Sequence, residues 1–167
     1  MTDSENLLKA FHSFANLFEP IWFWKMDSAF HVLQSDCPHE SLFRSLLLRE
    51  GRREAIDAHI ATTDRPVCFT VPSMLSWIIG FAPEGGKIHN IYLVGPFFLD
   101  YKDPASSADR MAQTDLTQEA QAALQAALPT LPVLSSETLV QYAVILHYCI
   151  TQERLAPSEV VHYVARP

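Results

Sequence analysis

The segment "LSWIIGFAPEGGKIHNIYLVGPFFLD" sets the strongest limit on what this chain folds into. Two apolar, β-prone runs, Met74–Phe81 and Ile88–Val94, flank the linker "APEGGK" at Ala82–Lys87. A proline and a glycine pair in so short a linker predict a β-hairpin. A third run of the same kind, Val67–Val71, stands just before them. Gly95 and Pro96 follow the last run, and proline has no N–H to give a ladder. Pairing is therefore expected to end there, with Phe97 and Phe98 carrying the chain over a sheet edge. An isolated glycine inside a β-run, as at Gly80, permits a bulge, a bend or close backbone approach.

A second hairpin is expected in "IWFWKMDSAFHVLQS", where the runs Ile21–Lys25 and Ala29–Gln34 flank Asp27-Ser28. Alternation puts Trp22 and Trp24 on one face and Ile21 and Phe23 on the other. Both faces are apolar, so the sheet is expected to be covered on at least part of each side. Helical periods surround these strands. Ser4 caps a helix over 4–18 whose stripe is Leu7, Phe11, Phe14 and Phe18, widened by Leu8 and Leu17 and stopped by Pro20. That spacing suits packing within the domain, and it also suits pairing with a twin helix in a homodimer. Further helices are expected from near His39, with Leu42, Phe43, Leu46 and Leu47 inward, and over Arg52–Ala61 and Thr117–Leu128. A last one runs from a Ser135 or Ser136 cap to about Glu153. Tyr101–Asp115 is polar and loop-rich, and the tail "LAPSEVVHYVARP" reads as a strand, a short helix or a linker. This order predicts an α+β domain built on an antiparallel sheet of about five strands flanked by helices.

A chain of 167 residues suits one domain with a single core. The net charge of −7 repels phosphate backbones, and the densest basic patch, Arg49, Arg52 and Arg53, is interleaved with Glu50 and Glu54. Nucleic acid is therefore not expected to bind this surface. Three widely spaced cysteines, Cys37, Cys68 and Cys149, without a CxxC, read as reduced thiols. The start "MTDSENLLKAF" lacks the basic opening of a signal peptide, and the apolar runs fall short of a membrane span. A cytoplasmic protein with no membrane partner is expected.

No arrangement of residues announces a reaction. The seven histidines form neither HxxxH nor HExxH, and Cys37-Pro38-His39 lacks the further ligands that zinc needs. Cys68 in a β-run and Cys149 on a helix read as core residues, and no GxSxG or cysteine signature is present. The Gly85-Gly86 pair precedes no helix, so it is not a phosphate loop. No catalytic residue, metal ligand or cofactor is assigned. What remains is an aromatic-rich sheet, from which Trp22, Trp24, Trp77 and Tyr92 are the candidates for lining a small-molecule pocket.

Three pieces in order carry a family resemblance: "DCPHE" after the first hairpin, the Leu75–Asp100 segment quoted above, and "LPVLSSETLVQYAVILHYCITQERLAPSEV". Together, from Trp22 onward, they resemble the N-terminal sensory region of AraC/XylS-type transcription regulators. They are similar to the subgroup that includes the YSIRK-associated surface-antigen regulators of Gram-positive bacteria. The resemblance implies a PAS/GAF-like sensory domain over 1–155 that binds a small effector, dimerises and controls a C-terminal helix-turn-helix region. DNA would be read only through that region. No basic recognition helix precedes Pro167, so residues 156–167 would be a tail or the start of a linker. The chain is then a fragment of a longer regulator or a stand-alone homologue. A ligand-free dimerisation module is the alternative, and a small thiol-dependent enzyme a more distant one.

Overall fold

The computed structural model describes residues 3–49, 51–71, 75–99 and 117–165. It is an α+β fold. The helices are α1 (Asp3–Ala15), α2 (Glu40–Leu47), α3 (Arg52–Ile60), α4 (Gln118–Ala127) and α5 (Ser136–Thr151). The strands are β1 (Phe23–Asp27), β2 (Val32–Ser35), β3 (Val67–Thr70), β4 (Leu75–Glu84), β5 (Lys87–Leu99), β6 (Val133–Leu134) and β7 (Val161–Val164). They form one sheet in the order β2-β1-β5-β4-β3-β7, with β6 beside the far end of β5.

The sheet is larger than five strands, and it is mixed. The tail supplies β7, which runs parallel to β3 with Val67 opposite Val161 and Thr70 opposite Val164. The short β6 lies parallel to β5, opposite Phe98 and Leu99. The remaining pairs are antiparallel. Among the described residues no helix is long and apolar enough to cross a membrane.

The central hairpin is tighter than its linker suggests. Glu84 pairs with Lys87, so only Gly85 and Gly86 turn the chain, both at positive φ. Two consecutive residues of that kind match the twist of the strands they join. The first hairpin uses a side chain instead. One oxygen of Asp27 accepts from the amides of Ala29 and His31, an Asx-type closure.

β5 does not end at Gly95-Pro96, as the proline suggested. It continues to Leu99, through a cis Gly95-Pro96 peptide and a register shift in β4 between Ser76 and Ile78. The missing N–H does no harm there because the partner on that edge changes at the same place. Gly95 N–H donates to Trp22 O, the last contact with the β1 side, and Phe98 N–H donates to Pro132 O, beside β6. Phe97 and Phe98 are therefore fully buried in the sheet and do not leave it.

Helices cover both faces, giving three layers. On one face α2, α3 and α4 enclose Trp24, Phe43, Phe69, Trp77, Phe81 and Leu124. On the other, α1 and α5 enclose Phe11, Ile78, Val94, Phe97, Leu146 and Ile150. Gly80 lets α5 lie close, since a Cβ there would stand 2.7 Å from Ile150 Cδ1. Helix α1 stops at Ala15, short of the expected Phe18, and closes with i→i−3 turns at Leu17 and Phe18. Only Leu8, Phe11 and Ala15 of α1 are buried. The Ser4 hydroxyl, expected as a cap, instead donates to Ile150 O at the end of α5.

A charged knot holds the C-terminal elements. Glu153 Oε1 accepts from His147 Nε2 at 2.9 Å and also from Arg65, whose guanidinium lies 3.7 Å from Glu159. These contacts tie the end of α5 and the turn before β7 to the start of β3. The His147 bond first, and Arg65 second, hold the Glu153 carboxyl below its ordinary 4.5. A depressed carboxylate contributes stability that is complete above the unfolded value and is lost as pH falls through the folded one. Stability of Glu153→Gln is therefore expected to fall less steeply than wild type below pH 4.5. Thermal melts between about pH 3 and 6 check this, and parallel curves would contradict it.

Candidate functional site

The site grows from three periodicities. Along α1, Glu5, Leu8, Lys9 and His12 fall at helical neighbour spacings and share a side. Leu8 is buried, while Lys9 and His12 reach the rim. Along β1 the period of two sends Phe23 and Lys25 to the α1 face and Trp24 to the opposite one. Register then sets Gln34 of β2 and Tyr92 of β5 on either side of Lys25. Helix α1 leaves this corner of the sheet partly open, and a groove of about 390 Å³ remains between them. Glu5, Lys9, His12, Lys25, Asp36 and Tyr92 converge on it.

His12 and Asp36 form one end. The His12 ring stacks on Phe23 with centroids 4.2 Å apart. Its Nε2 lies 3.0 Å from Asp36 Oδ2 and 3.1 Å from Ile21 O. Two acceptors facing one nitrogen require that nitrogen to be the donor. The other Asp36 oxygen accepts from Phe23 N–H at 2.8 Å. Asp36 is thereby engaged at both oxygens, and it couples α1 to the end of β2.

Lys25 and Tyr92 form the other end. The Lys25 Nζ lies 6.0 Å from the Tyr92 ring centroid, the outer reach of cation–π attraction. Burial, and secondarily the charge of Glu5, push the Tyr92 phenol above its ordinary ionisation range. It therefore stays an O–H donor at neutral pH. Neither Lys9 nor Lys25 forms a salt bridge among the described residues. The groove thus offers two cationic heads, the carboxylates of Glu5 and Asp36, and a neutral phenol donor beside the Phe23 ring.

The four aromatic candidates do not surround one cavity. Trp24 and Tyr92 both border the groove. The Trp24 indole is turned to the other face, however, where its Nε1 donates to Gly95 O at 2.8 Å. Trp22 packs, half-buried, against that same face. Trp77 lies fully inside it, and its Nε1 has no hydrogen-bond partner among the described residues. Alternation separates them: Trp22 and Trp24 face α2–α4, whereas Tyr92 stands opposite Lys25 and faces α1. Sequence reading missed Lys9, His12, Lys25 and Asp36. The seven-residue step from Glu5 to His12 and the Phe23–Lys25 alternation were visible, but nothing local sets one beside the other.

Burial keeps the three thiols in the protonated form. Cys37, Cys68 and Cys149 are all buried, and burial pushes them to about 12, 12 and 11. Cys37 donates to Pro38 O and Cys149 to Leu7 O, and Cys68 stands opposite His162 in the β3–β7 register. Among the described residues no group of three metal-ligating side chains occurs. Compared with known proteins, the chain matches no family model, no curated protein and no solved structure.

Proposed function

We propose that this chain is the effector-binding sensory domain of an AraC-type transcription regulator, PAS/GAF-like in its sheet and cytoplasmic in location. The observation that carries the reading is the groove, where helix α1 and strands β1, β2 and β5 bring charged and aromatic groups together. Such a concave site, with charged and polar groups beside Leu8, Phe23 and Tyr92, suits a small ligand. The antiparallel stretch β2-β1-β5-β4-β3 inside the larger sheet supports the PAS/GAF-like part. Helix α1 is both a wall of the groove and an exposed element. A ligand that binds one placement of α1 better than another would shift the population between them. With a net charge of −7, DNA would be contacted only by a region beyond Pro167. The coding sequence past that residue tests the assignment. A basic region with two helix-turn-helix motifs is expected, and a stop codon there would overturn it.

A second reading, a dimerisation module, is favoured by the end of α1. Phe14, Leu17 and Phe18 are 61%, 78% and 68% exposed, and the two phenylalanine rings meet edge to face at 5.3 Å. Apolar side chains gathered on a surface in this way mark contact sites more often than isolated ones do. Leu17→Glu with Phe18→Glu is expected to weaken self-association by about a hundredfold, with the monomer's melting temperature unchanged. Sedimentation equilibrium checks it. A wild-type chain that stays monomeric at about 100 μM, far above the Kd of a specific dimer, would count against a homodimer through this face.

A further inference from the structure

We infer that the groove takes a small organic carboxylate, its head between Lys9 and Lys25 and its apolar body over Phe23 and Tyr92. The inference rests on the groove being the effector site and adds the chemistry of the ligand. The charges point to an anion. Both carboxylate oxygens of Asp36 are engaged, by Phe23 N–H and by His12, whereas the two ammonium groups have no salt-bridge partner among the described residues. The two lysines balance Glu5 and Asp36 in number, but Asp36 is held at the His12 end, so at the Tyr92 end two ammonium groups stand against Glu5 alone. The cation–π contact of Lys25 uses the face of Tyr92 and leaves that phenol free to donate.

The type of anion follows from the donors. Phosphate sites favour backbone N–H groups at helix starts or the fork of an arginine. The groove is lined by lysines, a phenol and the Gln34 amide, with no arginine. Lysine acts as a point charge, enough for a carboxylate. The size follows from the volume. About 390 Å³ lies near the lower end of ligand pockets, room for a head and a body of a few carbons.

Amide chemical-shift titrations of the whole chain, followed at Phe23, Lys25 and Tyr92, test this with hexanoate, its neutral isostere hexanamide, and acetate. Hexanoate is expected to saturate these shifts about tenfold more tightly than hexanamide, and at least tenfold more tightly than acetate. Lys9→Gln and Lys25→Gln are each expected to weaken hexanoate about fivefold, and the double variant to erase its advantage over hexanamide. Their ligand-free spectra should overlay that of wild type elsewhere, since both side chains stand at the rim. Equal binding of hexanamide and hexanoate would overturn the carboxylate and leave the effector site standing. Equal binding of acetate would overturn the apolar body. No saturable shift from any of the three up to about 20 mM, weak even for ligands this small, would overturn both the inference and the site.

Discussion

Trp77→Ala is expected to lower the unfolding free energy by about 3–5 kcal/mol. Trp77 sits on β4, opposite Phe69 of β3 and with β5 on its other side, and none of its surface is exposed. Its ring packs among Trp24, Phe69 and the residues under α2, α3 and α4. Strands paired on both sides collapse little into the space left behind, so the loss lies toward the upper end of the range. The indole N–H adds a second contrast. It is buried without a partner among the described residues, a state that itself opposes folding. Trp77→Phe keeps most of the ring and removes that donor, so its loss is expected to stay within about 2 kcal/mol. Urea denaturation separates the two, with midpoints that fall in the order wild type, phenylalanine, alanine at a common m value. A phenylalanine variant as unstable as the alanine one would mean that the indole N–H finds a partner in solution.

The parts of the fold that sequence reading reached are those whose signal is local. Two β-runs around "PEGG" specify a hairpin because the turn and both strands lie in one window. The faces of Trp22 and Trp24 followed from a period of two. β6 is not read from sequence, and β7 only as one of three readings of the tail, because both are a few residues long and each pairs in parallel with a strand distant in sequence, which leaves no turn between them to read. The end of α1 shows a different limit. The expected stripe divides, because the helix ends at Ala15 and Phe18 lies beyond it, and a period does not report what each residue meets. Leu8, Phe11 and Ala15 meet the sheet, while Phe14, Leu17 and Phe18 meet solvent. The groove was illegible for the same reason as β7. Lys9 and Lys25 face one space only through the register of β1 on β5 and the docking of α1. Aromatic content suggested a site in the sheet, but the largest rings serve the core, and the polar residues opposite them form the groove.

Gly95→Ala is expected to cost about 3–5 kcal/mol, from backbone strain together with overpacking, although it adds one methyl group. Gly95 holds φ at 135°, a conformation that side chains rarely adopt. An added Cβ would lie 2.9 Å from Ser76 O and 3.3 Å from Trp77 Cα, both backbone atoms of β4. Neither can rotate aside. Moving Gly95 instead would pull its N–H from Trp22 O and its carbonyl from the Trp24 indole. Moving β4 would disturb the buried hydrogen bond between Ser76 and Thr70. Gly80→Ala is the matched control. Its Cβ would come within 2.7 Å of Ile150 Cδ1 and 3.0 Å of Leu146 Cδ2, which is closer, but these are the ends of side chains that can rotate. A loss of about 1–2 kcal/mol is expected there, smaller despite the shorter contact. Denaturation midpoints rank the two, and near-ultraviolet circular dichroism reports whether the Trp24 and Trp77 rings shift in Gly95→Ala. If Gly80→Ala were the more harmful, the close approach of α5, rather than the bend in β5, would be the tighter constraint on this sheet. The expected order places it at the bend, where β5 leaves β1 for β6 and one backbone position holds Trp22, Trp24 and Ser76 in register.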